Sequence, residues 1–487
     1  MTLKRHTFSA GRWTTVSALL RSGLQVLQMV ILARLLAPAD FGLMAIVVAL
    51  LAVVGLLADF GVSRAIIYYD DITPSVLSSL YWLNVALAAA VAVTIAAAAP
   101  LISAFYHQPA LLPVLLATTP VIVLTALGQQ FCVLAEKNFR FATLVQNEVL
   151  SGLSGFVVCI ASAFAGAGIY ALVSGSLVAA AIGSLLAWWR LSGIHRPRWH
   201  FDFNETRDYL RIGSYLVGEN AAATLVRQSD VFIGGLFVGP AALGLYSLPR
   251  DLSLRLAMAV NPAVTRIGFP VMSRLKNDIT ALKDVYLQTL RMTASINFPM
   301  YVALGVFASE LVALLYGPRW MTATDLLRTL AVWGLVRSIG NPVGSLLYAV
   351  GRARRAFWWN LGQLVLLPLA YLVAARGWGT TGLAVALAVT QVALIVPAWW
   401  LLVRPCCGAT LQEYFGQMTA PLAASVFAGG LAWGITRDLD HGTVRLTLGG
   451  ITGGVAYLAM SYWLNRQWVE TMATLLHLDR MLPASRR

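Results

Sequence analysis

Arginine, glutamine and carboxylate side chains interrupt segments of this sequence that are otherwise long and apolar. If such a segment crosses a membrane, a charge near the bilayer centre costs about 3 kcal/mol on insertion scales. A charge kept there indicates a watery cavity or a tight pair. The candidate substrate-binding residues are Arg21, Gln25, Arg227, Arg250, Arg255 and Arg337, and the candidate ion-coupling residues are Asp230, Glu219 and Glu148.

The candidate set is rich in guanidinium groups, and this determines the chemistry that it predicts. A planar guanidinium donates paired hydrogen bonds to phosphate oxygens, so arginines suit a phosphate or diphosphate group. A cationic cavity argues against organic cations as the main substrates. The acidic candidates could couple transport to a proton or sodium gradient, and the sequence does not choose between these ions.

Two pairs of these residues test the idea that the charges simply neutralise each other. Arg227 and Asp230 are spaced i, i+3 and could pair on one helix, so both a pair and a cavity role stay open. Arg250 and Asp251 are adjacent and point in different directions on a helix, so we expect that they do not pair.

Three further candidates also have alternative interpretations. Arg21 has no acidic residue three or four positions away, which favours a role in a cavity. Arg255 could extend toward the cytoplasmic face of the membrane instead. Glu148 lies near the start of a predicted helix, where a carboxylate could have a capping or interfacial role.

The tetrapeptide Ala-Asp-Phe-Gly occurs twice, with Asp40 and Asp59 as its acidic residues. Asp-Phe-Gly is a magnesium-binding signature in protein kinases, but no nucleotide-binding motif accompanies it here. If the residues between the two aspartates form a helix, the aspartates are about 30 Å apart, which matches the thickness of a hydrocarbon core. The two copies therefore bracket one predicted transmembrane helix, and Asp40 can cap its start.

Composition indicates the class of protein. Of 487 residues, 59% are hydrophobic and only 11% are charged, and the mean hydropathy is +0.73. Soluble proteins are about one quarter charged, so the chain is predicted to be an all-α, multi-pass membrane protein surrounded by lipid. It contains no serine-hydrolase, zinc-protease or Walker motif and no cysteine spacing typical of a metal site. We therefore expect neither an enzyme nor a bound cofactor.

Fourteen segments are long and apolar enough to be predicted as transmembrane helices. Two longer connections, 191–210 and 266–291, are predicted to be interfacial and partly helical. The predicted domains are an N-terminal lobe of six helices at 1–200, a C-terminal lobe of six helices at 201–410, and two additional helices with a cytoplasmic tail at 411–487. The fourteen spans are 13–36, 41–63, 76–102, 111–135, 142–166, 168–190, 211–238, 242–265, 292–316, 323–349, 356–376, 379–403, 417–436 and 443–464.

The distribution of basic residues predicts the orientation in the membrane. With the N-terminus inside, most of the 35 Lys and Arg residues lie on the inner side of the alternating segments. This bias is typical of cytoplasmic loops, and the even number of predicted helices places both termini in the cytoplasm. It also accounts for the net charge of +14 without any role for nucleic acid.

A weak internal repeat relates the two predicted lobes. The segments APADFGL at 37–43 and GPAALGL at 239–245 match at Pro, Ala, Gly and Leu positions, and each lies at a predicted outer helix junction. The offset equals six predicted helices, so the two units have the same orientation and form a parallel pseudo-repeat. The same offset aligns Gln25 with Arg227, and Gln28 with Asp230.

Several stretches, in order along most of the chain, resemble a known family. They include ILARLLAPADFGLMAIVVALLAVVGLLADFGVSRAII, SDVFIGGLFVGPAALGLYSLPRDL and LLYAVGRARR. The sequence resembles Wzx-type polysaccharide transporters, or oligosaccharide flippases, in the colanic-acid-exporter-like branch of the multidrug/oligosaccharidyl-lipid/polysaccharide exporter superfamily. This resemblance rests on the order of the stretches rather than on a position-exact site motif.

The resemblance implies two six-helix lobes around a V-shaped cavity, with two further C-terminal helices. It implies alternating access that carries an undecaprenyl-diphosphate-linked oligosaccharide across the bacterial inner membrane for surface polysaccharide biosynthesis. A polysaccharide polymerase and a chain-length regulator would be its partners in that pathway. The coupling ion stays open.

Two other classes of function remain as alternatives. One is a multidrug or metabolite antiporter of the related branch, which an acidic cavity would favour. The other is an integral-membrane glycan polymerase or ligase, which would need a large periplasmic loop. The predicted outer loops are short, which disfavours the second alternative.

Overall fold

The computed structural model describes residues 23–69 and 71–475, and the candidate Arg21 lies outside them. The described residues form helices and no strand. Their first ten helices are α1 Gly23–Leu35, α2 Pro38–Asp59, α3 Val62–Tyr68, α4 Pro74–Phe105, α5 Leu111–Thr118, α6 Pro120–Lys137, α7 Phe141–Phe164, α8 Tyr170–Leu191, α9 Phe203–Phe237 and α10 Pro240–Arg274. The others are α11 Ile279–Val306, α12 Ala308–Leu315, α13 Thr324–Ser338, α14 Asn341–Ala349, α15 Ala353–Ala393, α16 Ile395–Ala398, α17 Arg404–Cys407, α18 Leu411–Thr436, α19 Gly442–Leu464 and α20 Arg466–Leu475.

Seven stretches of the described helices are long and apolar enough to cross a membrane. They are α2, α4, the run α5–α6, α7, α8, the run α15–α17, and α18. Helices α11 and α12 are bent by 78° and make an eighth if they form one span. These observations confirm the predicted all-α membrane class, while the number fourteen stays a prediction.

Helices α9 and α10 are longer than the predicted spans within them. Each has 35 residues, or about 52 Å of helix, against about 30 Å of hydrocarbon. Residues 203–210 and most of 266–291 are therefore helical, which agrees with the prediction that these connections are partly helical. Asp202 accepts a hydrogen bond from the Asn204 backbone at 2.8 Å, and Asp278 accepts one from Ala281 at 3.0 Å. These N-caps start α9 and α11 well before the apolar residues do.

The run α15–α17 is interrupted at Gly379. The run has 55 residues, about 80 Å if it were straight, which is more than twice the hydrocarbon thickness. Gly379 has φ 59° and ψ −140°, a conformation that favours glycine, so the helix is broken there. The break falls at the first residue of the predicted span 379–403, just after the predicted span 356–376.

The backbone divides into two compact units. One comprises Met1–Ser247 with Asn360–Gly379, and the other comprises Leu248–Trp359 with Thr380–Arg487. The predicted lobes 1–200 and 201–410 describe a division by helix number, and that division stays a prediction.

The connection between α8 and α9 is anchored on α4. The Ser78 hydroxyl accepts a hydrogen bond from the Arg198 backbone at 3.1 Å and lies 3.3 Å from Nε2 of His195. The indole of Trp82 donates to the Arg198 carbonyl at 2.8 Å and stacks on Trp199. Burial, and secondarily the charge of Arg198, lowers the pKa of His195, so this imidazole is neutral at pH 7.

The doubled tetrapeptide marks the two ends of α2. Asp40 accepts a hydrogen bond from the Ala37 backbone at 3.1 Å, which confirms its predicted role at the helix start. Asp59, at the other end, accepts hydrogen bonds from Ser63 and from Gln129, the latter at 2.9 Å. Both carboxylates therefore bind helix-end or side-chain donors of the chain itself.

The two repeat segments contact each other through their glycines. A Cβ atom on Gly42 would lie 1.8 Å from the carbonyl oxygen of Pro240, and one on Gly244 would lie 1.8 Å from that of Pro38. Such an approach brings Cα–H groups against carbonyl oxygens at a helix interface. The contact is reciprocal, so the segments 37–43 and 239–245 are equivalent in structure as well as in sequence.

This contact predicts that Gly42→Ala destabilises the protein, because the added methyl group has no space. We expect a loss of about 1–3 kcal/mol, measured as a lower apparent melting temperature in detergent. The matched control is Gly55→Ala on the same helix, where an added Cβ meets nothing within 4 Å. Equal melting temperatures for the two variants would contradict the role assigned to the contact.

Candidate functional site

The amide residues of α1 differ in their surroundings. Gln25, a candidate substrate-binding residue, is exposed. Gln28, three residues further on, donates a hydrogen bond from Nε2 to Sγ of Cys159 on α7 at 3.3 Å. A polar side chain of α1 is thus held by the interior of the first unit.

Helix α9 carries one exposed and one buried candidate. Arg227 is exposed, and its Nη2 donates to the Thr224 hydroxyl at 2.6 Å. Asp230 is 2% exposed and accepts a hydrogen bond of 2.6 Å from the hydroxyl of Tyr246, which is fully buried on α10. This hydrogen bond joins α9 to α10.

The two glutamate candidates also lie in the first unit. Glu148 is exposed on α7, two turns after the helix begins at Phe141. Glu219 lies within α9, and its side chain is outside the described part of the structure. The structure therefore places Glu148 beyond the first turn, where a capping role does not apply.

Arg250 and Asp251 form an ion pair, so the prediction that they do not pair is wrong. Nη1 of Arg250 lies 3.3 Å from Oδ1 of Asp251, and Arg250 is buried while Asp251 is half-exposed. The long arginine side chain can bend around the helix to reach the adjacent carboxylate, which a consideration of Cβ directions alone does not show.

Arg255 and Arg337 are half-buried arginines of the second unit. The guanidinium of Arg337 lies over the indole of Trp333, 5.4 Å from its centre. The hydroxyl of Tyr301 donates to the backbone carbonyl of Ser253 on α10 at 2.5 Å. Arg255 is half-buried on α10, two residues after Ser253.

A group of buried asparagines in the second unit was not among the predicted candidates. Asn297 donates from Nδ2 to Oδ1 of Asn261 at 3.0 Å, and Asn261 donates to the Ser338 carbonyl at 3.4 Å. Asn341 donates to the backbone carbonyl of Asn261 at 3.5 Å. Asparagine within apolar helices is the signal for this group in the sequence, whereas the predicted candidates are mainly charged residues.

The described candidates divide between the two compact units. Arg250, Arg255 and Arg337 belong to the second unit, and Gln25, Glu148, Arg227 and Asp230 belong to the first. A cavity shared by all of them stays a prediction. In the described part of the chain, no cluster of three or more His, Cys, Asp and Glu residues could hold a metal ion.

Known proteins that are similar to this chain take part in polysaccharide biosynthesis or share its fold. Residues 31–325 match the family described as "Polysaccharide biosynthesis protein". The chain is 28% identical to the lipopolysaccharide biosynthesis protein WzxC of Escherichia coli K12, over 88% of this chain and 87% of that protein. It is 26% identical to the teichuronic acid biosynthesis protein TuaB of Bacillus subtilis 168, over 98% and 99%. The solved structure of the lipid II flippase MurJ, in an inward closed conformation, matches with a TM-score of 0.76 at 13% identity, covering 95% of this chain and all of that one, and shows a shared fold.

The hydrogen bond between Tyr246 and Asp230 predicts that Tyr246→Phe destabilises the protein. Removing a donor from a buried carboxylate costs about 1–3 kcal/mol or more, which a thermal unfolding assay in detergent measures. Tyr106→Phe is the control, since the Tyr106 hydroxyl has no hydrogen-bond partner among the described residues although its ring is buried. If both variants unfold at the same temperature, the bond does not stabilise the fold.

Proposed function

Because the chain belongs to the polysaccharide biosynthesis protein family, we propose that it is a flippase for a lipid-linked oligosaccharide. It moves an undecaprenyl-diphosphate-linked repeat unit across the bacterial inner membrane by alternating access, for surface polysaccharide biosynthesis. The names of the relatives support this role, since they include a succinoglycan biosynthesis transport protein and a probable glycan biosynthesis flippase. The shared fold with a lipid II flippase is compatible with it.

The main support for the proposal is the presence of three arginines within the helices of a membrane protein. Arg227 is exposed on α9, and Arg255 and Arg337 are half-buried on α10 and α13. A guanidinium presents a rigid fork of donors that matches phosphate oxygens in bidentate geometry, and it stays charged in nearly any environment. These groups replace the water that a diphosphate loses when it leaves the aqueous phase. They bind and orient the substrate, and no bond of the substrate is broken.

The reciprocal glycine contact supports a mechanism of alternating access. The segments around Gly42 and Gly244 lie at predicted outer ends of their helices, where backbone packs on backbone. In our proposal, this contact closes the pathway on the outer side and separates when the substrate is released. Backbone contacts without interlocking side chains can separate and re-form without changes of rotamer.

Coupling, location and partners complete the proposal. Asp230, held by Tyr246, is the best-described candidate for proton or sodium coupling, and Glu219 and Glu148 are the others. Both termini lie in the cytoplasm, as the distribution of basic residues supports. A polysaccharide polymerase and a chain-length regulator would receive the exported unit.

The proposal is tested by reconstituting the purified chain in vesicles with a polyprenyl-diphosphate-linked oligosaccharide. An impermeant glycosidase or lectin in the outer solution measures how fast the glycan crosses. We expect Arg227→Gln, Arg255→Gln and Arg337→Gln each to slow crossing by about tenfold or more, since a charged hydrogen bond contributes about 1.5–3 kcal/mol. The corresponding lysine variants keep part of the rate.

The control for these variants is Arg437→Gln, which removes an exposed arginine beside Asp438 and should not change the rate. Wild-type vesicles that fail to move the lipid-linked glycan, but that exchange an organic cation for protons or sodium, would establish the antiporter alternative instead. Full activity in all three glutamine variants would remove the arginines from the transport pathway.

A further inference from the structure

An open pocket lies where α14 ends and α15 begins. It has a volume of about 490 Å³ and is lined by Gly351, Arg352, Arg354, Arg355 and Trp358. This volume is within the range of small-molecule sites. The pocket includes most of the GRARR sequence at 351–355, and the proposed transport of a glycan gives these residues no role.

One arginine of the pocket is held by a backbone carbonyl, and the two others are exposed. Gly351 has φ 70°, which turns the chain between the two helices. Arg352 donates from Nη1 to the Pro405 carbonyl and lies 3.7 Å from Sγ of Cys406, so this side chain connects α15 to α17. Arg354 and Arg355 are exposed in the first turn of α15. The partial positive charge of the helix start adds to theirs.

The surrounding chain provides no carboxylate for these two arginines. The sequence contains no Asp or Glu between Asp325 and Glu413. The Glu413 carboxylate is already bound by Lys283 at 2.8 Å and by the Thr410 backbone at 2.8 Å. Within the described residues, Arg354 and Arg355 therefore have no ion-pair partner from the chain itself.

Exposed aromatic side chains indicate that these arginines lie at the boundary between lipid and water. Trp358, which lines the pocket, is 57% exposed. Trp400, in the segment that leads to α17, is also 57% exposed, and the next residue, Leu401, is exposed as well. Tryptophan is enriched at the boundary between lipid and water, and basic pockets between transmembrane helices at that boundary bind lipid headgroups.

We propose that this pocket binds the phosphodiester headgroup of an anionic glycerophospholipid, with Arg354 and Arg355 as its phosphate ligands and Trp358 against the lipid. Arg352 holds the pocket together by its bond to α17. The site is separate from the arginines on α9, α10 and α13, and it takes a lipid of the surrounding bilayer rather than the transported glycan. Binding there does not depend on transport.

The test measures lipid binding by the purified full-length chain and by its double variant, which carries both Arg354→Gln and Arg355→Gln. Native mass spectrometry or a nanodisc assay measures affinity for phosphatidylglycerol, with phosphatidylcholine as the neutral lipid. Each basic residue near an anionic lipid contributes about 1 kcal/mol, so we expect about fivefold weaker phosphatidylglycerol binding for each arginine removed. Phosphatidylcholine binding should be unchanged, and the double lysine variant should keep most of the affinity.

Arg319→Gln is the control, because Arg319 is an exposed arginine on another segment, outside the pocket. Equal losses in this control and in the double variant would overturn the proposal, as would unchanged phosphatidylglycerol binding in the double variant. Competition with undecaprenyl diphosphate separates the two sources of lipid phosphate. If the double variant loses only undecaprenyl diphosphate binding, the pocket belongs to the substrate and the proposal is wrong.

Discussion

The bilayer cannot solvate polar groups, and this constraint determines how the helices of this chain pack. A buried carboxylate must find a donor inside the protein, as Asp230 does with Tyr246 and Glu310 does with Arg445 at 2.7 Å. Such bonds connect helices that apolar packing alone would hold without a fixed register. Arg255 and Arg337 lie half-buried on α10 and α13, and a guanidinium is a side chain that suits phosphate oxygens.

Those features of the fold that depend on local sequence could be predicted. The low fraction of charged residues predicts the all-α membrane class, which the structure confirms. Proline, aspartate and glycine together predict the start of α2, and Asp40 binds the backbone there. The repeat was recognised from four small or apolar positions, and its two copies are in contact through Gly42 and Gly244.

Features that depend on side-chain length or on distant partners could not be predicted. Arg250 reaches Asp251 because its side chain is flexible, although their Cβ atoms diverge. The partly helical character of 191–210 and 266–291 was predicted, but the N-caps Asp202 and Asp278 that fix where α9 and α11 begin were not. The asparagines around Asn261 belong to three helices that are far apart in sequence, so each one looks unremarkable until the helices pack.

The contact between the repeat segments also limits how the sequence can evolve. Where two side chains oppose each other, a larger residue on one side can be accommodated by a smaller residue on the other. Here each glycine faces a main-chain oxygen, of Pro240 or of Pro38, and no substitution removes a main-chain oxygen. Gly42 and Gly244 therefore cannot compensate for each other, and each position is constrained by itself.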